Sequence, residues 1–581
     1  MRQRRGNALV SYYRVAMIIV ATALFARVVE AGTNFYVDPD WTGMKSGTQA
    51  HPFATLNKSA WQRINTALAN GDVTIYFSAL KADGVTQQSK AWFVQCRRTD
   101  YTAHRLTLDG YSFYNSNETT PNWQANPDSD INHAYQNGKV FKSTGDGNQA
   151  LGWKRQDGND GVTNGGTTYT CIESHVSSSD NAPGTGPNWT LYWDASTPEF
   201  PLGTIAAWQS GVTYRCYPKQ NNVTLRGFEV TGGGARTEVA GDNLIFEYIW
   251  IHDITTIGPG LALSYTSHPD GSAAQILERP STNLTFHYFR IERTYGEAFY
   301  LGSINPDAPA AFQLSHGNQH SHVLIENFYI NHPAANGAQG DGIDCKNGIT
   351  YLTIRLGEIR GFGLGTGNGI NVPMTATNVN QNVLIERNFI HDSSPGQTTG
   401  CFGIYAAADQ ASASSLYGYN GVTIRNNIVA NCRRGIQYSG DNVIPRPAIN
   451  GSVFNNTIYN ISPDTALSVG SGVSDSNANN VVENNFVFGS AAPSAWLDST
   501  GITSDYNAHD TATWISSSEG PHTVALGAKA ALLSVVSASN EDFRPSANST
   551  LKGKALTISG FSDDFYRRSR AAGNWNIGAV Q

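Results

Sequence analysis

Nine times between residues 222 and 490 the chain repeats one phrase: a polar residue, two or three β-formers, an asparagine-rich turn, then a second short apolar run. It reads NVTLRGFEV at 222, NLIFEYIWIHD at 243, NLTFHYFRIER at 283, HVLIENFYINH at 322 and YLTIRLGEIRG at 351. NVLIERNFIHD at 382, GVTIRNNIVAN at 421, SVFNNTIYNIS at 452 and NVVENNFVFGS at 480 complete the set. The starts lie 21, 40, 39, 29, 31, 39, 31 and 28 residues apart. A constant phrase at an irregular interval marks a solenoid whose strands stack while its loops vary in length. Val, Ile, Leu and Phe alternate as a strand requires, and Asn and Gly stand at the turns. Helical periodicity is confined to SAWQRINTALANG at 59–71. A coil of three short parallel strands with loops takes about 20–40 residues, so the pattern predicts an all-β parallel β-helix. A β-propeller, with four antiparallel strands at a steadier period of about 40–50 residues, is the second choice.

A repeat also accommodates 581 residues, too many for one compact two-layer domain. The 58 glycines, 11% aromatics and 15% charged residues suit a turn-rich β surface and exclude coiled coil or disorder. A net charge of −7, from 39 basic and 46 acidic residues, gives no electrostatic reason for a nucleic-acid partner. Arg2, Arg4, Arg5 and Arg14 precede the apolar run VAMIIVATALFA, and VVEA ends at Ala31. Residues 1–31 therefore read as a secretory signal, too short in its apolar part for a span of about 20 residues; a retained anchor is the alternative. An exported monomer, extracellular or periplasmic, is expected. Six cysteines are too few for a disulfide scaffold. Cys401 and Cys432 occupy equivalent places in successive repeats and form the best pair. Cys171 with Cys216 is a second, and Cys345 reads as a small hydrophobe in a strand.

The remaining boundaries follow from changes in pattern. Residues 32–148 form an N-terminal cap and first coils, 201–500 the β-helix, and 501–581 the last coils and C-terminal cap. Between them, 149–200 departs from the phrase and reads as a small β insert. Trp153, Tyr169, Trp189, Tyr192 and Trp193 in it offer either a platform for sugar rings or the insert's own core.

Chemistry concentrates in GEAFYLGS (296–303) and GDGIDCKNG (340–348). Aligning the strand after each phrase on its inward apolar residue stacks Leu263, Phe299, Ile343, Ile370, Ile404 and Ile436. One position on, pointing outward, stand Ser264, Tyr300, Asp344, Asn371, Tyr405 and Gln437. Lys346 falls two further. Two before the apolar residue stand Glu297, Asp341, Asn368, Phe402 and Arg434. Strict alternation turns this last column inward, but the Gly-rich turn preceding it can break parity. With coils stacked about 4.8 Å apart, Glu297, Asp341 and Asp344 crowd one patch beside Lys346, with Asn368 and Asn371 on the next coil. Clustered carboxylates repel unless neutralised, and hard oxygen donors favour Ca²⁺. A solvated ion-pair row is the bland alternative.

The coils, the opening FYVDPDWTGMKSGTQAHPFATL (35–56) and the closing ITSDYNAHD, EDFRPSANS and NIGAVQ resemble the right-handed parallel β-helix proteins of the pectate-lyase-like superfamily. The acid cluster resembles that of their calcium-dependent polysaccharide lyases of the chondroitinase B and alginate lyase type. That resemblance implies Glu297, Asp341, Asp344 and Asn368 as Ca²⁺ ligands and Lys346 as the base. It also implies an arginine acid, for which Arg434, Arg360 and Arg387 compete. Tyr300, Asn371, Tyr405 and Arg387 would contact an acidic polysaccharide. GDGIDCKNG departs from the family's acid-strand-lysine phrase by putting Asp where Glu is usual and adding a second Asp. Two rivals stand beside the lyase: a metal-free glycoside hydrolase on Asp341 and Asp344, and a non-catalytic glycan binder using the insert. His316, His320 and His322 in HGNQHSH could bind a metal, but the stretch reads as a loop with His322 beginning a strand, and His252 and His391 read as a surface ladder four coils apart.

Overall fold

The computed structural model describes residues 32–38, 40–78, 104–110, 140–141, 161–164, 167–171, 175–176, 178–191, 193–194, 206–208, 214–215, 221–231, 237–238, 241–252, 254, 261–263, 281–301, 320–331, 340–345, 348–363, 367–373, 375–376, 379–394, 400–406, 417–438, 448–469, 478–490, 495–497, 501–510 and 519–581. The signal segment lies outside them, as do Lys346, Trp153, Tyr192 and Cys216. No helix among the described residues is long and apolar enough to cross a membrane.

Within them the chain is a parallel β-helix. Ten short strands, from Tyr214–Arg215 to Ala495–Leu497, form one all-parallel front sheet, and a twenty-stranded sheet wraps the rest of each coil. Like residues stack on like. Phe246, Phe286, Ile325, Ile354, Ile385, Ile424, Val453 and Val482 form one continuous inward column. All are at most 1% exposed, and each such burial contributes about 1.5–3 kcal/mol.

The large sheet bends at one corner that recurs from coil to coil. Gly227, Tyr288, Asn327, Leu356, Arg387, Asn426, Asn455, Asn484 and Tyr506 all take positive φ there. Asparagine suits the corner because it tolerates the left-handed region better than most residues. The next residue inside the barrel is Phe289, then Phe328, whose rings stack 5.4 Å apart. Gly357 follows, where a Cβ would lie 1.9 Å from the Phe328 ring. Beyond Gly357 the column turns polar, as Asn388, Asn427, Asn456, Asn485 and Asn507. Asn388 Oδ1 accepts the Gly357 backbone N–H at 3.1 Å; from Asn427 on, each amide oxygen accepts both the backbone N–H and the side-chain N–H of the asparagine one coil earlier, at 2.9–3.1 Å.

Outside, an alternating charge column runs along the strands before the corner. Asp109, Arg226, Glu247, His287, Glu326, Arg355, Glu386 and Arg425 follow in register, with ion-pair distances from 2.6 to 3.9 Å. Two coils on, Glu483 meets Asp505 instead of a cation.

The last sixty residues double back over the outer face of the final coils. Phe543, Phe565, Ile577 and Val580 cover Phe389, Ile428, Phe486 and Phe488. The corner side chains hold this segment largely by its backbone. Asn426, Asn455 and Asn484 donate to carbonyls of Asp563, Asn576, Gly578 and Leu556.

Two expectations are revised, and two of the insert's aromatics fall on the core side of the alternative. Cys401 and Cys432 are buried thiols with no disulfide between them, and they donate to the carbonyls of Gly363 and Ala430 at 3.3 and 3.1 Å. Cys345 is also buried and forms no disulfide, as read from sequence. Within the insert, Trp193 and Tyr169 are 1% and 8% exposed, and Trp193 Nε1 donates to Asn181 O at 2.9 Å. These two rings are core and offer no platform to a sugar. His391 belongs to no surface ladder: it shares a column with His252 four coils away but is fully buried.

Candidate active site on the front sheet

A column of small residues sets the site's geometry. Ala298, Gly342, Gly369, Gly403, Gly435 and Ala466 stack at the residue before the inward apolar column, just ahead of a front strand or at its second position. A Cβ on Gly342 would stand 2.6 Å from Gly369 O, and one on Gly369 2.5 Å from Gly403 O. This close approach lets the preceding residue swing to the outward side, which breaks the strand's parity. Phe299, Ile343, Ile370, Ile404 and Ile436 are Cα partners in register, as the sequence alignment requires. Leu263 is the exception: Leu261 pairs with Phe299, so Ala262 rather than Ser264 lies beside Tyr300. A slip of two residues preserves the alternation and leaves no trace in the hydrophobic pattern.

Glu297, Asp341 and Asp344 converge. Each offers one carboxylate oxygen within 4.8 Å of the other two, and Asp341 and Asp344 are both only 1% exposed. Two asparagines on the next coil brace them. Asp341 Oδ1 accepts the Asn368 backbone N–H at 2.5 Å and Asn371 Nδ2 at 3.0 Å. Asn371 Nδ2 also reaches Asp344 Oδ1 at 3.3 Å, and Asn368 Nδ2 donates to Asn371 Oδ1 at 2.8 Å. Asn368 Oδ1 accepts the Phe402 N–H at 3.0 Å. The amides thus spend their polar atoms on holding carboxylates and backbone. The donor set is three hard oxygens at a spacing that fits a cation of Ca²⁺ size, whose Ca–O bonds are about 2.3–2.6 Å.

The other residues singled out from sequence fall into two groups. Tyr300 is the Cα partner of Asp344, and Tyr405 that of Asn371. Arg434 opens the next strand, its guanidinium 4.8 Å from the Phe402 ring centre and its Nε 3.1 Å from Asp464 Oδ2. These three share the sheet with the acid cluster. Arg360 and Arg387 do not. Arg360 ends a strand of the large sheet, with Nη2 3.7 Å from Asp392. Arg387 is buried between Glu386 and Asp563 of the C-terminal segment. Lys346 follows Ile343–Cys345 directly in sequence but lies outside the described residues. Sequence reasoning missed Asp464, which Arg433 and Arg434 share at 2.8 and 3.1 Å; a lone acid in the SPDT turn carries no signal. It also missed that Asn368 and Asn371 work as a pair.

No family model and no curated protein matches the chain. Among solved structures it is similar to pectate lyase Pel9A, at 13% identity and a TM-score of 0.39 over 95% of this chain and 97% of that one. It is also similar to the PL6 family alginate lyase AlyGC, at 14% identity and a TM-score of 0.29 over 54% and 48%. A GH136 lacto-N-biosidase from Eubacterium ramulus gives 11% identity and 0.36 over 86% and 72%. Likenesses this distant do not choose among chemistries.

Proposed function

We propose that the chain is an exported carbohydrate-active enzyme that cleaves an acidic polysaccharide by β-elimination. The observation that carries this reading is the braced cluster of Glu297, Asp341 and Asp344 on consecutive coils. When bound there, Ca²⁺ would neutralise a uronate carboxylate and make its C5 proton removable. Glu297, Asp341 and Asp344 would hold the ion, while Asn368 and Asn371 fix the two aspartates without consuming the ion's charge. Lys346 would take the C5 proton. A lysine titrates near 10.4, so it must be lowered by the ion and by burial against the opposing pull of the carboxylates. Tyr300, Tyr405 and Arg434 line the same sheet and would contact neighbouring sugars, Arg434 supplying charge for a second uronate.

The closeness of the carboxylates favours one second reading, a retaining glycoside hydrolase, whose paired groups stand about 5–5.5 Å apart. Against it, Asp341 and Asp344 are almost wholly enclosed, whereas a general acid must touch the glycosidic oxygen.

Ultraviolet absorbance on alginate, pectate, glucuronan and glycosaminoglycans, with calcium or chelator, decides between them. Elimination leaves an absorbing unsaturated sugar. A calcium-dependent rise that vanishes in Lys346→Ala is expected. New reducing ends with no absorbance would overturn the lyase in favour of the hydrolase.

A further inference from the structure

A second cluster lies on the large sheet, where the C-terminal segment crosses it. His391 ends the strand Phe389–His391, and its side chain is 1% exposed, its ring stacked on Phe389 at 3.9 Å. Its Nε2 is 3.1 Å from Glu358 Oε1, one coil earlier, in a side chain with no exposure. Its Nδ1 faces two carboxylates, Asp392 Oδ2 at 3.0 Å and Glu541 Oε1 at 3.4 Å. Glu541 belongs to the returning C-terminal segment. Asn431 Nδ2 bridges the same two acids, 3.2 Å from Asp392 Oδ1 and 3.0 Å from Glu541 Oε1.

We infer that His391, Asp392 and Glu541 form a site for a divalent transition metal such as zinc, which ties the C-terminal segment to the coil. Three features lead there. Nδ1 carries one proton or one lone pair, yet two anionic oxygens converge on it. A single N–H satisfies one of them well, whereas a cation between the three atoms satisfies both. The spacing agrees, because four-coordinate zinc with bonds of about 2.0–2.1 Å holds its ligands about 3.3 Å apart. Finally, metal-bound imidazoles donate their other N–H to a carboxylate, and Glu358 stands where that partner belongs. Nitrogen with two carboxylates is a borderline donor set that suits zinc better than calcium. The Asp392 side chain, 42% exposed, gives the ion a route from solvent. Without a cation the cluster draws in a proton instead: burial alone would lower the His391 pKa, but hydrogen bonds accepted by Asp392, Glu358 and Glu541 outweigh it and raise the ring to about 10.

The test is calorimetric titration of the tag-free full chain with zinc chloride at pH 7, after chelator treatment and dialysis, with bound metal counted by mass spectrometry. One equivalent of zinc is expected, with a rise in Tm. Glu541→Gln should weaken that binding at least about 100-fold and abolish the Tm rise, and Glu358→Gln should weaken it about 10–100-fold. Asp344→Asn, on the front sheet, should leave it unchanged. If Glu541→Gln does not fold, Asp392→Asn, at the open side of the cluster, carries the same expectation. Failure to bind one equivalent, or equal binding by wild type and Glu541→Gln, overturns the inference. So does a His391 ring that NMR shows holding two protons at pH 7 with zinc present.

Discussion

Replacing Asn456 by alanine tests how much the internal asparagine column contributes to the fold. Asn456 is completely buried. Its Oδ1 accepts the Asn427 backbone N–H at 3.0 Å and Asn427 Nδ2 at 3.1 Å. Its Nδ2 donates to Ile424 O at 3.0 Å and to Asn485 Oδ1 at 2.9 Å. Alanine removes all four bonds and leaves the Asn427 backbone donor buried without its acceptor. One stranded donor costs about 1–3 kcal/mol and each of the three further lost bonds about 1, so the loss should total about 4–6 kcal/mol. The variant Asn456→Asp keeps the shape but sets an acceptor against Ile424 O and Asn485 Oδ1, and should cost at least as much. Urea unfolding followed by tryptophan fluorescence reads the midpoint. Native-state hydrogen exchange reads the Asn427 amide directly, which matters because stacked coils can open locally. An Asn456→Ala loss below about 1 kcal/mol, or an Asn456→Asp variant as stable as wild type at pH 7, would refute the reasoning.

Asp344→Asn should weaken calcium binding to the front cluster at least tenfold by calorimetry, and Asn371→Ala about 10–100-fold, since it removes the amide shared by Asp341 and Asp344. The Glu483 carboxyl is pushed up by burial and then by the Asp505 charge, so its ionised form burdens the fold above the raised pKa. Glu483→Gln should therefore raise Tm at pH 7, with the advantage gone near pH 4, where the wild-type group is protonated in both states; differential scanning calorimetry at the two pH values checks the sign. Burial raises the Cys401 thiol to about 11 and raises Cys432 as well. Native protein at pH 8 should leave both unalkylated by iodoacetamide in mass spectrometry, with or without prior reductant.

The repeat was legible because stacking demands like on like. Aligning the strand that follows NVLIERNFIHD and its relatives placed Phe299, Ile343, Ile370, Ile404 and Ile436 in one column without any long-range information. What escaped had specific causes. The Leu261/Leu263 slip preserves parity. For Asp341 the sequence offers the Gly-rich turn as a possible break in parity but leaves its direction open, because the close approach of adjacent turns is a three-dimensional condition. Arg387 reads like Arg434 in one dimension, yet one sits under the C-terminal segment and the other on the front sheet. That return path is the largest illegible element, since EDFRPSANS names an ending and not the surface on which it lies. Cys401 and Cys432 occupy equivalent repeats, but neighbouring coils already offer each thiol a carbonyl.

The covering of the last coils by the chain's own end has a consequence for biogenesis. The outer surface carrying Phe389, Ile428, Phe486 and Phe488 cannot be closed until Val580 has left the ribosome. Coils before Phe389 can consolidate as they are made, while those after it must wait with an apolar flank open to any neighbour. Chains truncated before residue 540 should therefore fail by lateral association of intact coils, with the first half of the molecule still folded.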